Sequence, residues 1–510
     1  MLSPQAWADG YVVDVDYTAG FYRELTPALL RFVTVLGGVQ SVELDRPFTY
    51  VELGCGQGYS TTLLAAANPL GNFFGVDFNP THVLNARRLA QEAQVGNVTF
   101  LEKSFAELLE VELPEADIIT LHGVYSWIND ENRGHILELI RRRLKPGGLA
   151  YISYNCLPGM AQAAPLQRLL RDQAERLGGA FNERVARALE FAGRLDAAGA
   201  DYFRLSPLAR GRLQSLARQD PRYVAHEYFN GNWSLFYHAD VAAQVAAAKL
   251  TFVGSAALAD NFDQLVLGPA MQQIVAEMGE RVAAETLKDY ARNQSFRRDV
   301  FSRGAPRCDG TELERRLGHT RFALARPRRG CRMSITTPAG EIAMHEAVYG
   351  PLLDALARGP LTFDQLAGMD EVAQGDRGRA RQAVFAMAAL GNILPALPAA
   401  GEEARSSAAA RFNHASLARA LSTPGPVALA SPVLGSGIGL SPIDRILLDA
   451  PKSGDTLAWL RQRMRLGGHK LTRDGRPVES NDEVRAMLEE RIGHFQRETQ
   501  PWLRQLGIAA

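Results

Sequence analysis

Residues 50–60 read YVELGCGQGYS, from Tyr50 to Ser60, and this stretch decides the fold. An apolar run ends in a turn carrying Gly54, Gly56 and Gly58. A strand that enters a glycine-rich turn and leaves as a helix opens a nucleotide-binding α/β unit. The spacing then sorts the ligand. A dinucleotide turn needs G-x-G-x-x-G, whose third glycine lets helix and strand pack closely. Counted from Gly54 and Gly56, that place holds Tyr59. A phosphate-cradling loop fails as well, because no Gly-Lys-Ser/Thr follows. Pyrophosphate prefers backbone N–H groups with no carboxylate nearby, and Glu52 stands just before the turn. A cationic ligand with an amino-acid tail can use that carboxylate. S-adenosylmethionine (SAM) carries a sulfonium and an ammonium and no phosphate, so the turn favours it over NAD.

Working outward, residues 46–155 alternate between two patterns. Strands are expected at Phe48–Leu53, Asn72–Phe78, Val98–Ser104, Ala116–Val124 and Leu149–Asn155. Helices are expected at Tyr59–Ala67, Pro80–Gln94 and Asn132–Leu144. The strand runs are almost wholly apolar, as strands buried on both faces are. The alternation reads as a parallel sheet wound by right-handed crossovers. Asp77, at the end of the second strand, is placed to accept both ribose hydroxyls. Its rival role is a helix N-cap, which Asn79-Pro80 fills better. Lys103-Ser104-Phe105 ends the third strand, where a small polar residue beside an aromatic can hold an adenine; Phe105 reads equally as core. Leu121-His-Gly-Val-Tyr-Ser-Trp-Ile-Asn-Asp130 follows the fourth strand. Ligands of open α/β sheets lie outside the carboxyl ends of the strands, which puts His122, Tyr125 and Trp127 on the rim of the site.

Composition limits the rest. Lysine plus arginine equals aspartate plus glutamate at 56 each, so no global field draws in nucleic acid. No apolar run is long enough to span a bilayer, and the first residues lack the zones of a signal peptide. Cys55, Cys156, Cys308 and Cys331 are scattered, without zinc spacing or a disulfide framework. No metal site is expected, and a cytoplasmic location is. At 510 residues the chain exceeds one ordinary domain. After Pro158-Gly159 it turns rich in alanine, leucine and arginine with helical spacing, as in LQRLLRDQAERL. The arginines there read as a solvated face. Strand-like sequence returns at Leu250–Ser255 and Phe296–Ser302. Beyond Arg303 three amphipathic helices are expected within residues 346–392, either a winged-helix-like module or a plain helical one. Residues 399–408 read as a linker, Leu434–Pro442 as a turn and Asn481–Glu498 as a charged helix.

Taken together, ELGCGQG, GVDFNP and LKPGG resemble the ordered landmarks of class I SAM-dependent methyltransferases. A narrower resemblance rests on HGVYSW, YISYNCLPG, HEYFN and SFRRDVF. Those segments look like bacterial methyltransferases with a methyltransferase regulatory domain, which are similar to rickettsial protein lysine methyltransferases. Cys156 and Met160 depart from the usual threonine and tryptophan around the Pro-Gly step. The resemblance implies an α/β fold: a Rossmann-like seven-stranded sheet, its last strand antiparallel, with a helical insertion and mainly helical middle and C-terminal domains. The expected division is 1–159 for the first part of the core, 160–225 for the insertion, 226–304 for completion of the sheet, 305–398 for the middle and 409–510 for the C-terminal domain. A chain ending near Gly304 would on this division fold alone. A homodimer through the insertion is the assembly implied.

The candidate cofactor-binding residues are Tyr17, Glu52, Gly54, Cys55, Gly56, Gly58, Asp77, Phe78, Ser104, Phe105 and His122. The catalytic candidates are Tyr125, Trp127 and His122. If the acceptor is lysine, an aromatic mouth built from Tyr125, Trp127, Tyr228, Phe229 and Trp233 would lower the pKa of its amine and attract its cation. The segment HEYFNGNW reads equally as a packing anchor. His122, His226 and Glu227 are each candidates to take the proton. A protein amine, a sugar or small metabolite, and a non-catalytic SAM-binding role all fit the residues.

Overall fold

The computed structural model describes residues 20–219, 221–304, 306–337, 340–420, 427–451, 454–469, 471–473, 476–478 and 480–509. Tyr17 lies outside them. The chain enters through α1 (Pro27–Gly37) and then alternates: β1 (Phe48–Leu53), α2 (Tyr59–Ala67), β2 (Gly71–Asp77), α3 (Pro80–Glu92), β3 (Val98–Glu102), α4 (Phe105–Leu108), β4 (Ala116–Leu121), α5 (Asp130–Arg143) and β5 (Leu144–Asn155). The Lys145-Pro-Gly-Gly148 turn is absorbed into β5, where Leu144 pairs with Ala116 across a register shift.

A helical insertion follows β5: α6 (Ala164–Glu175), α7 (Phe181–Ala197), α8 (Asp201–Leu205), α9 (Pro207–Leu216) and α10 (Pro221–Tyr228). They enclose their own apolar core around Leu166, Leu170, Val185, Phe203 and Leu213. The sheet is then completed by α11 (His238–Ala246), β6 (Leu250–Ser255) and, after further helices, β7 (Phe296–Arg303).

The seven strands lie in the order β3-β2-β1-β4-β5-β7-β6. All central pairings are parallel, and β7 runs antiparallel to both β5 and β6. This is the Rossmann-like methyltransferase sheet. Strand order reverses between β1 and β4, so a crevice opens at the carboxyl ends of those two strands. Among the described residues, no helix is long and apolar enough to cross a membrane.

The middle region is mainly helical, as expected, and its helices Glu346–Arg358 and Arg377–Ala389 flank a small antiparallel sheet of Arg321–Leu324, Leu361–Thr362 and Ile393–Ala396. The remainder differs from the expected plan in two places. The stretch expected as a linker is the start of a long helix, Glu402–Ala420, which packs against α2. Its alanines and serines carry no amphipathic stripe, yet small side chains are what a close helix–helix approach needs. The expected turn at Leu434–Pro442 is largely the second strand of a hairpin, Val427–Ser431 with Ser436–Leu440. One apolar core runs from α1 through the middle sheet to Trp502 and Leu503, so these parts are packed as one body. Phe32 on α1 meets Phe322 edge-on at 5.3 Å.

Candidate active site

The glycine turn sits at the end of β1, with Gly54, Gly56 and Gly58 at φ 73°, 53° and 68°. These left-handed values favour glycine. The three have different surroundings. A Cβ on Gly54 would strike Val124 at 2.5 Å, and one on Gly58 would strike Ala86 at 2.5 Å. A Cβ on Gly56 would meet nothing within 4 Å. Gly54 is therefore needed for close packing as well as for the turn, and Gly56 borders open space. Gly58 serves the packing of α2 against α3 and does not line the cavity, which corrects its expected place as a ligand contact.

That open space is a cavity of about 730 Å³ along the carboxyl edge of the sheet, within the range of roughly 300–1,000 Å³ usual for ligand sites. One side, over β1 to β3, is lined by Glu52, Gly54, Cys55, Gly56, Asp77, Phe78, Ser104 and Phe105. The other side, over β4, β5 and β7, is lined by His122, Trp127, Asn155 and Phe296, with Arg212 from α9 and Glu227 from α10.

Glu52 is 4% exposed and accepts a hydrogen bond from Thr61 Oγ1 at 2.6 Å. Burial pushes its carboxyl up to about 7; the Thr61 bond opposes this and the neighbouring Asp77 charge adds to it. A buried carboxylate that wants a counter-charge suits the ammonium of a SAM-type ligand. Asp77 accepts from the Gly56 amide at 2.8 Å and from the Asn79 amide at 2.9 Å, with His82 Nδ1 at 3.3 Å. Asn79 caps α3 as expected, its side chain accepting from Thr81 and His82 amides. Asp77 therefore holds the turn as well as facing the cavity, and is less free than its sequence position implied.

Ser104 lines the cavity, but its hydroxyl is occupied in a capping box with Glu107 at the start of α4. Phe78 and Phe105 are half-buried in the wall. His122 bonds through Nδ1 with Tyr151 Oη at 2.8 Å and packs beneath Tyr22 with ring centres 4.1 Å apart. Burial lowers its pKa to about 4; Glu24 opposes this and Arg298 reinforces it. His122 is thus a neutral ring at physiological pH.

Of the aromatics expected on the rim, Trp127 lines the cavity and Tyr125 does not. Trp127 is 6% exposed and stacks on Trp233 at 5.9 Å with planes 8° apart. Tyr125 is fully buried, packs on Phe236 and donates its hydroxyl to Gln244 Oε1 at 2.6 Å. Two residues earlier in the same loop, it points into the sheet-side core, away from the cavity. Phe229 and Tyr228 also belong to the core of the insertion.

The cavity recruits residues that sequence reading did not assign to it, among them Tyr22, Met160 and Arg212. Arg212 is an exception to the solvated face expected of the insertion's arginines, a face that Arg168 and Arg204 keep. Nothing in the spacing around Arg212 could have shown this, because its position depends on how the insertion returns to the sheet.

The turn, the acid at the tip of β2 and the order of the strands define a class of nucleoside-cofactor enzyme, and comparison with known proteins agrees. Residues 44–193 match the model of a methyltransferase domain, and residues 220–303 match that of a predicted methyltransferase regulatory domain. An uncharacterized protein from Synechocystis is 36% identical over 506 residues, covering 99% of this chain and 100% of that protein. Trans-aconitate 2-methyltransferase from Methylobacterium nodulans is 31% identical over 165 residues, 32% of this chain and 54% of that enzyme. Among solved structures, PKMT2 from Rickettsia typhi in complex with AdoHcy shares the fold with a TM-score of 0.69 at 18% identity, covering 97% of this chain and 99% of that one. The chain belongs to the SAM-dependent methyltransferases that carry a methyltransferase regulatory domain. Its cofactor is SAM.

Proposed function

We propose that this enzyme moves the methyl group of SAM to a side-chain amine of a protein, lysine in the first instance. The observation that carries the reading is the asymmetry of the cavity. One end offers the glycine turn, Glu52 and Asp77 for the cofactor. The other is walled by Trp127, by aromatic Phe296 and by the carboxylate of Glu227. Aromatic faces and a carboxylate attract a cation, and a desolvated mouth lowers the pKa of an amine that must lose a proton before it can attack. The fold shared with PKMT2 from Rickettsia typhi, and the sequence resemblance to rickettsial protein lysine methyltransferases, support the same reading.

SAM supplies an activated methyl on a sulfonium, which is already a good leaving group. The protein's contribution is then chiefly positioning and exclusion of water. On this reading Glu52 faces the amino-acid tail, Asp77 the ribose, and Phe78 and Phe105 the adenine. Neutral His122 and Trp127 border the point of transfer.

A small-molecule acceptor is the second reading. Arg212 in the cavity wall would suit an acidic one. Incubating the full chain with methyl-tritiated SAM and a bacterial lysate separates the two. Label recovered as methyl-lysine after protein hydrolysis supports the proposal; label confined to small molecules overturns it.

A further inference from the structure

Two polar side chains in the acceptor half of the cavity are left unspent by the fold. Asn155 ends β5 and is 5% exposed. Its backbone is fully used: the amide donates to Ser126 Oγ at 2.8 Å and the carbonyl accepts from Phe236 N at 3.1 Å. Its side-chain nitrogen is buried and has no hydrogen-bond partner. Glu227, on α10, lines the same cavity and makes no hydrogen bond or ion pair with any described residue. Buried polar groups are costly when unpaired, and those that persist in a ligand cavity call for an explanation.

The chain path places both on the wall of the same cavity. After α10 the backbone returns to the tip of β5, where Cys156 forms a bridge with Phe236 and Leu157 N donates to Phe236 O at 2.9 Å. Ser234 N donates to Ser126 O at 2.8 Å, tying the same segment to the loop that carries Trp127. The last helix of the insertion is thereby anchored over the rim of the sheet.

The electrostatics of Glu227 are set by burial and by one cation. Arg212, on α9, is the cation whose field reaches it, and the Arg212 guanidinium is bonded to Tyr228 Oη at 2.8 Å. Glu131 and His135 on α5 line the same cavity, as does Arg298 on β7, which is paired with Glu24 at 3.0 Å. Burial pushes the Glu227 carboxyl up to about 7, with Arg212 pulling it partly back. A base with a pKa near the working pH is the effective kind.

We propose that Glu227 and Asn155 form the acceptor-side catalytic pair for a primary amine, Asn155 orienting the amine through its side-chain amide and Glu227 taking its proton. This rests on the amine reading given above. The acceptor enters as R–NH3+, and one N–H proton passes to the Glu227 carboxylate, leaving a lone pair on nitrogen. That pair forms the N–C bond to the methyl carbon while the C–S bond breaks and its electrons remain on sulfur. The product leaves as the methylated ammonium, and Glu227 releases its proton to solvent.

The test needs no knowledge of the natural acceptor. Calorimetry on the full chain compares AdoHcy with sinefungin, an analogue of SAM bearing a primary amine where the sulfonium methyl sits. Wild type should bind sinefungin about tenfold more tightly than AdoHcy, the effect of one added charge-assisted hydrogen bond. E227Q should bring that ratio close to one and N155A should lower it, each with AdoHcy affinity kept. E227D, which retains the charge, should keep the preference. An unchanged ratio in a folded E227Q, or no preference in wild type, overturns the pair while leaving SAM binding intact. Loss of AdoHcy binding by wild type would instead overturn the cofactor reading itself. The destination of label in a lysate decides the amine reading separately.

Discussion

Asp77 Oδ2 accepts the Gly56 amide proton at 2.8 Å, so the tip of β2 holds the turn that ends β1. One residue thus shapes the glycine loop and faces the ligand. Asp77→Ala should weaken AdoHcy binding by about 1.5–3 kcal/mol, the worth of hydrogen bonds to a charged group. It should also lower the melting temperature, because the Gly56 and Asn79 amides lose their acceptor. Calorimetry and a thermal melt of the same preparation check both. Unchanged affinity with a lowered melt would make Asp77 a scaffold residue alone.

Trp127 and Tyr125 should separate cleanly on substitution. Trp127→Ala should cut turnover more than AdoHcy affinity, because Trp127 faces the acceptor half of the cavity. Tyr125→Phe should cost about 0.5–1.5 kcal/mol of stability through the lost bond to Gln244, with AdoHcy affinity unchanged. Kinetics and urea unfolding on the two variants decide the matter. A turnover defect in a stable Tyr125→Phe would return that tyrosine to the site.

Glu52 makes the protein's response to pH depend on its ligand. Its folded pKa of about 7 lies above the usual 4.5, owing first to burial and then to Asp77, against the Thr61 bond. The folded, ligand-free chain therefore holds a proton that the unfolded chain has lost between those values. The stability from this group is full below about 4.5 and is lost as pH rises through about 7. A bound ammonium favours the ionised form and reverses the trend. AdoHcy affinity should rise up to about tenfold per pH unit below 7 and level off above it. Glu52→Gln should flatten the profile and weaken binding at neutral pH. A wild-type affinity independent of pH across that window would show that Glu52 does not meet the ammonium.

The parts legible in the sequence are those where one local pattern has one structural solution. β1 and α2 were readable because a doubly buried strand, a turn needing positive φ and an apolar helix follow one another within residues 48–67. β6 and β7 were readable as strands for the same reason, in spite of the long insertion before them. The aromatic wall of the cavity was only half legible. Tyr125 and Trp127 share one loop, and the direction of each is set by Phe236 and Trp233, more than a hundred residues on. Arg212 and the long helix Glu402–Ala420 escaped for a related reason: each is defined by the surface it meets. The short middle strands, such as Ile393–Ala396, gave too few residues for a period to show.

That packing changes what a truncated chain should do. Residues up to Gly304 contain all seven strands, and the sequence alone suggests that they would fold by themselves. In the structure α1 and α2 rest on the later half of the chain. Tyr59, which lines the cavity beside the glycine turn, donates its hydroxyl to Ala428 O at 2.7 Å. Asn68 donates to Gly435 O at 2.8 Å, and Thr26 and Ser436 hydroxyls are 2.7 Å apart. Phe32 packs on Phe322, and Tyr59 meets Phe412 edge-on at 5.6 Å. Ending the chain at Gly304 would expose this apolar surface of α1 and α2, which favours association over solubility. The shortened chain should aggregate, or bind AdoHcy far more weakly than the full chain does. A gentler version is Phe412→Ala, which should cost about 3–5 kcal/mol as a buried aromatic is removed. It should also loosen Tyr59 at the cofactor turn and so reduce AdoHcy affinity. A soluble 1–304 chain with full affinity would show that the later regions are dispensable for the cofactor site.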